Sequence, residues 1–362
     1  GVGGGGVYNG ASVTLELGED VSCQITNNDI APTLTLVKNV INDNGGTAGA
    51  NDFGLTINGA PVTSGLANPV QAGIALTIDE AGLAGYAFVS ISGDAKCPAA
   101  LGGSLTLQPG EDISCTITNN DIAPTLTLVK SVTNDNGGTL GANDFGLTID
   151  GVPVTSGSAR NVQANKAVAI NEATVQGYAF VSISGDARCP AALGGTVTLA
   201  PGENVSCTLT NDDIEPSLTL HKVVVNNNNG TESASAWTLT AAGPTGFSGF
   251  GPSVSSGAGF EAGTYNLSET GPGGYLAGGW NCSGGSQTDS ETVIVAPGQV
   301  VNCTIINDDV GGLTLLKQVI NDDGGNAVPA DWMLTATGPT GFSGTGPSIS
   351  SGADFQAGDY DL

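Results

Sequence analysis

Positive charge is scarce in this sequence: eight Lys and Arg stand against 34 Asp and Glu, for a net charge of −26. So acidic a surface repels phosphate, and neither nucleic acid nor an anionic membrane is an expected partner. Histidine occurs once, at His221, on the opposite strand parity from Lys222. One imidazole cannot furnish a Ser-His-Asp triad in each of several repeats. With no Cys-x-x-Cys beside it, zinc is disfavoured as well. Aromatic residues make up 5% of the chain and methionine occurs once. No apolar run is long enough to cross a bilayer, so no membrane insertion is expected in this segment. Gly-Gly pairs occur, but without the strand-to-helix setting of a phosphate loop. Neither a secretion signal nor a wall-anchoring motif is found, as in a segment processed or cut from something longer.

Short strands and tight turns fill the sequence instead. Runs such as Ser12-Val13-Thr14-Leu15-Glu16-Leu17 alternate polar and apolar residues between clusters of Gly, Pro, Asn and Asp. That alternation is the signature of half-buried β-strands. With 39% hydrophobic residues the chain has the means to bury a core despite its charge.

The strands recur in a repeat. Cys23, Cys115, Cys207 and Cys303 sit in a Cys-x-(Ile/Leu)-x-Asn-(Asn/Asp)-Asp phrase, 92, 92 and 96 residues apart. Lys38, Lys130, Lys222 and Lys317 sit in Leu-x-Leu-x-Lys-x-Val, 92, 92 and 95 residues apart. A unit of this length suits one β-sandwich. Repeats are expected over 32–123, 124–215 and 216–310, the last of a second subtype. Residues 1–31 read as the C-terminal part of a truncated repeat, and 311–362 as the N-terminal half of a further one. The expected fold is therefore all-β, tandem Ig-like sandwiches arranged as beads on a string. Pro32, Pro124 and Pro216 in short linkers favour a semi-rigid array.

Six of the seven cysteines resolve into pairs inside repeats: Cys97 with Cys115, Cys189 with Cys207, and Cys282 with Cys303. Cys23 is left over. Paired cysteines in small Gly-rich domains favour disulfides and an extracellular or cell-surface location.

Side chains alternate between strand faces with period two. On that parity Leu34, Leu36 and Lys38 share the inward face, and so do their counterparts around Lys130, Lys222 and Lys317. An isolated buried ammonium is very costly, so each lysine needs a partner. The same test turns Glu80, Glu172 and Glu269 inward from a middle strand. It turns Asn119, Asn211 and Asn307 inward from the last strand, and the Cys23-x-Ile25-x-Asn27 run repeats that last pattern. Three candidate sets follow: Lys38, Glu80 and Asn119; Lys130, Glu172 and Asn211; Lys222, Glu269 and Asn307. Burial disfavours the charged forms of amine and acid alike, so a proton can pass from one to the other. A neutral amine can then attack the Asn carbonyl, expel ammonia and leave an amide bond. The other reading of each set is a buried Lys–Glu ion pair with Asn as hydrogen-bond partner.

Three phrases carry a family resemblance: the opening Leu-Thr-Leu-Val-Lys with Asn-Asp-Asn-Gly-Gly, Tyr265-x-Leu-x-Glu269, and the closing Cys-Thr-Ile-Thr-Asn-Asn-Asp. In this order and spacing the chain resembles the prealbumin-like domains of bacterial surface proteins, akin to collagen-adhesin B-type and pilin-backbone domains. The resemblance covers nearly the whole chain. It implies a sandwich of about seven strands and, in many members, a Lys–Asn isopeptide bond assisted by an acid. Here the Tyr-x-Leu-x-Glu phrase is degraded to Leu76-Thr77-Ile78-Asp79-Glu80 in the first full repeat, and disulfides neighbour the Asn.

Acidic and amide side chains crowd the ends of the repeats. Asn120, Asp121, Asp135, Asp212, Asp213, Asp308, Asp309 and Asp322 are candidates for binding Ca²⁺, which takes six to eight oxygen ligands. Asn, Asp and Gly equally favour tight turns, the other reading of these segments. Taken together, a structural, non-enzymatic repeat region of an extracellular bacterial fibre, filament or stalk is expected, its partner being itself. The alternative is an adhesin whose repeats bind a host, glycan or mineral surface.

Overall fold

The computed structural model describes residues 12–24, 26–352 and 354–362. Residues 1–11 of the first expected segment, and Ile25 of the Cys23-x-Ile25-x-Asn27 pattern, lie outside the described residues. The chain divides into two compact units. One comprises Gly1–Pro124 with Val162–Lys166 and Leu199–Glu203; the other comprises Thr125–Asn161, Ala167–Thr198 and Asn204–Leu362.

In the first unit eight strands make up one repeat: β1 (Thr33–Ile41), β2 (Gly54–Ile57), β3 (Ala60–Val62), β4 (Ala67–Pro69), β5 (Ala75–Ala81), β6 (Tyr86–Gly93), β7 (Ser104–Thr106) and β8 (Asp112–Asp121). They form two four-stranded sheets, ordered β4-β1-β8-β6 and β3-β2-β5-β7. The first and last strands are neighbours and run parallel, in register from Thr33 with Asp112 to Ile41 with Asn120. All other pairings in the repeat are antiparallel.

Alternation explains the core. Leu34 and Leu36 of β1, Leu55 and Ile57 of β2, Leu76 and Ile78 of β5, and Ile113, Cys115 and Ile117 of β8 are buried between the sheets. The intervening threonines of β1 are only half-buried. Burying a side chain of this size stabilises by about 1.5–3 kcal/mol. A one-residue slip of β1 would turn its leucines outward and Thr33, Thr35 and Val37 inward.

The second unit repeats the plan. Thr125–Thr133 pairs parallel with Asn204–Asp213, and Ser217–Val225 pairs parallel with Val300–Asp309. Trp237, Tyr265, Phe260 and Trp280 join the aliphatic core of the latter repeat. Residues from Leu313 onward form two antiparallel strand pairs, Thr314–Leu316 with Ser348–Ser350 and Met333–Ala336 with Phe342–Thr345.

Disulfides join Cys97 to Cys115, Cys189 to Cys207 and Cys282 to Cys303, across sequence separations of 18, 18 and 21. The second member of each pair is fully buried on the last strand. Cys23 is a free, exposed thiol. Closing a loop of this length contributes about 3 kcal/mol by restricting the unfolded chain. Reduction is therefore expected to lower the thermal midpoint of each repeat, and calorimetry with and without reductant measures it; Cys97→Ser with Cys115→Ser should reproduce the loss in one repeat.

Candidate functional site

Lys38 is the third inward residue of β1, and its side chain is completely buried. Its Nζ lies 2.6 Å from Oε2 of Glu80, which β5 of the facing sheet projects into the same core. The other carboxyl oxygen, Oε1, accepts a hydrogen bond of 2.6 Å from Asn119 Nδ2 on β8. One carboxyl thus bridges amine and amide. The second set is arranged alike: Lys130 Nζ is 3.0 Å from Glu172 Oε2, and Asn211 Nδ2 donates to Glu172 Oε1 at 2.6 Å. Here the amine also donates to Asn211 Oδ1 at 2.7 Å. In the third, Lys222 Nζ is 2.9 Å from Glu269 Oε2, and Asn307 Nδ2 donates to Glu269 Oε1 at 2.6 Å. Oδ1 of Asn119 and of Asn307 is buried and accepts no hydrogen bond. The structure thus brings the Lys, Glu and Asn of each of the three sets together.

The model of the prealbumin-like fold domain matches residues 29–117, 121–209, 213–305 and 308–362. The chain belongs to that family. No curated protein matches it. Among solved structures it resembles the Bacillus anthracis TIE protein, with 16% identity and a TM-score of 0.46 over 78% of this chain and 51% of that one. The pilus adhesin SpaC from Lactobacillus rhamnosus GG follows with 14% identity and a TM-score of 0.28, over 78% and 44% of the two chains. The major pilin T-13 from Streptococcus pyogenes shows 10% identity and a TM-score of 0.26, over 63% and 100%. The chain spans about half the length of the first two.

In each complete prealbumin-like repeat, burial pushes the lysine below the ordinary range for an amine, and the hydrogen bond and charge of the glutamate offset this only in part. An aromatic ring caps each ammonium. Phe53 lies 4.1 Å from Lys38 Nζ, Phe145 4.4 Å from Lys130, Trp237 4.9 Å from Lys222 and Trp332 4.8 Å from Lys317. A ring face attracts the cation and shuts out water. Strand parity does not single these rings out, because each precedes or lies outside its neighbouring strand. Their signal is spacing: every one stands 15 residues after its lysine, as 53 − 38 and 332 − 317 show.

Six of the eight acidic and amide candidates at the repeat ends lie on a last strand. Asn120 and Asp121 are the last residues of β8, and Asp212, Asp213, Asp308 and Asp309 end the equivalent strands. Asp121 is buried and accepts from the backbone N–H of Asn44 at 3.1 Å and of Gly46 at 2.6 Å. Asp213 and Asp309 hold the corresponding loops of their prealbumin-like repeats in the same way. Asp135, Asp212 and Asp213 bring carboxylate oxygens within 4.8 Å of one another, the one such cluster among the described residues. The charge of Asp212, followed by burial and Asp213, raises Asp135 above the ordinary carboxyl value. Asn120 replaces one of the three acids in the first repeat and Asn227 another in the third, while Asp322 lies in an exposed turn.

Proposed function

We propose that the chain is the structural repeat region of an extracellular bacterial fibre, filament or surface stalk, and that each complete repeat closes itself with a Lys–Asn amide bond. The observation that carries the chemistry is the glutamate bridge. Oε2 faces the amine and Oε1 faces the amide nitrogen. Glu80 takes a proton from Lys38 at the first oxygen. The neutral Nζ then attacks Cγ of Asn119, forming the new N–C bond. The acid gives that proton to Nδ2, whose bond to Cγ breaks so that ammonia departs, and the carboxylate takes up the second proton that Nζ sheds as the amide forms. Amine plus primary amide become secondary amide plus ammonia, with no oxidant or cofactor, and the site reacts once. General acid/base help of this kind and close approach of the reactants are what accelerate such a step.

The topology gives the bond a mechanical use. The chain enters the repeat at the start of β1 and leaves at the end of β8. Because these strands are parallel neighbours, pulling on the two termini shears one register of nine residue pairs. A covalent tie between Lys38 and Asn119 passes the load across and leaves the other six strands unstretched. The disulfides support an oxidising, extracellular setting for it.

Intact mass of the reduced, unfolded chain tests the chemistry. The expected mass is below the sequence mass by one ammonia for each of the three complete sets. Asn119→Ala should abolish one of the three losses. An unaltered mass returns the site to a buried ion pair. Electron microscopy tests the assembly: regular filaments support the fibre, whereas single flexible stalks support the adhesin reading.

A further inference from the structure

The Asn42-Asp43-Asn44-Gly45-Gly46 loop after β1 is held from behind and used from in front. Behind it, the Asp121 carboxylate takes the N–H groups of Asn44 and Gly46, and Asn44 Nδ2 donates to the Asp121 carbonyl at 3.1 Å. Tyr86 adds a second clamp, its hydroxyl donating to Asn42 Oδ1 at 2.7 Å and accepting from Ala48 N–H at 2.9 Å. The carbonyls of Asn44 and Gly45 are left facing outward.

Within the first unit those carbonyls are not free. Asn44 O accepts from Ala164 N–H at 2.7 Å, and Gly45 O accepts from Asn165 Nδ2 at 2.9 Å. Nearby, Ile122 donates its N–H to Gly85 O at 2.8 Å and accepts from Gly202 N–H at 2.7 Å. The second unit repeats the Asn-to-Ala and Ile-to-Gly main-chain bonds. Asn136 O accepts from Ala262 N–H at 2.7 Å, and Ile214 O accepts from Gly298 N–H at 2.7 Å. Asn228 O likewise accepts from Ala357 N–H at 3.0 Å. The residue met is alanine each time, in Gln163-Ala164, Glu261-Ala262 and Gln356-Ala357. Gln71-Ala72 is the matching dipeptide of the preceding repeat.

We propose that this loop is a docking surface whose partner is the Gln/Glu-Ala turn ahead of the middle strand in the next copy of the repeat. Recognition runs through main-chain carbonyls and amides. The partner's small alanine permits the approach, and so does the loop's glycine in the first two instances, whereas the third loop has Asn229 in the same left-handed conformation there. Gly45 and Gly137 have φ of +89° and +84°, and a Cβ on either would meet the backbone of Ala164 or Ala262. Turn chemistry alone accounts for the positive φ but not for the partner. Docking of this kind couples the stability of one repeat to that of its neighbour, as in other tandem arrays. It does not depend on whether the amide bonds form.

Paired alanine substitutions in the full chain test the proposal by amide hydrogen exchange. Gly59 has φ of +76° with open space around its Cβ position, so Gly59→Ala carries the same backbone cost as Gly45→Ala without the collision. Gly45→Ala is expected to speed exchange at Ala164 by about tenfold or more, with Leu36 and Ile117 still protected. Gly59→Ala should leave Ala164 unchanged. The second pair is Gly137→Ala, read at Ala262, against Gly151→Ala, which has φ of +73° and equally open surroundings. Equal effects within both pairs, or no effect of Gly45→Ala and Gly137→Ala, would overturn the docking role.

Discussion

Glu172→Ala is expected to lower the stability of its repeat by about 3–5 kcal/mol, because it leaves the wholly buried amine of Lys130 without a counter-charge, with only the neutral oxygens of Asn211 and Leu209 as acceptors. The same change removes the acid that would assist the amide bond. Replacing the whole set, Lys130→Met with Glu172→Leu and Asn211→Leu, should recover most of the loss in folding stability, since no unpaired charge remains. It should not recover the missing ammonia equivalent in the mass. Calorimetry and intact mass on the two variants therefore separate the electrostatic part of the site from its covalent part. A single variant as stable as the parent would show that Lys130 finds another partner or is not enclosed.

Asp121→Ala should cost its repeat about 3 kcal/mol, since two loop N–H groups and an amide lose a charged acceptor in a buried position. Burial alone would raise this carboxyl, but the N–H groups of Gly46 and Asn44 outweigh it and hold it below the ordinary carboxylate value; Asp309 behaves likewise. A depressed folded value means that the unfolded chain binds the proton more readily. The contribution is then complete above the ordinary carboxyl range and fades as pH falls through the lower folded value. Thermal midpoints measured from neutral pH down to about pH 2 should fall more steeply for the parent than for Asp121→Asn. The variant should also release the loop, so that exchange at Ala164 rises together with the loss of stability.

Much of this organisation was legible from residue spacing and strand parity. A slot that recurs at 92 residues and always holds lysine among leucines is hard to reconcile with a solvated face. Parity told which faces Glu80 and Asn119 occupy but not which strands adjoin, because the order of strands depends on long-range pairing. The parallel contact of β1 with β8 was therefore invisible until the sheets were assembled. Strands of three residues, such as Ala60–Val62 and Ser104–Thr106, are too short to show a period. Asn120-Asp121 reads as a turn by composition, yet it is strand, because β1, β6 and the loop at Asn44 bond to it from three directions. Local preference gave way to tertiary contacts there. The aromatic caps carry no periodic signal of either kind, because a ring that covers a cation from a loop obeys neither helical nor strand periodicity.

A seam made of main-chain carbonyls and amides, with glycine or asparagine on one side and alanine on the other, asks little of the remaining sequence. In-register duplication or deletion of one segment, 92 codons long in the first two instances, leaves every junction complementary to its new neighbour. Descendant genes can lengthen or shorten by whole units without compensating substitutions, and the copy number becomes a heritable ruler for how far the array reaches.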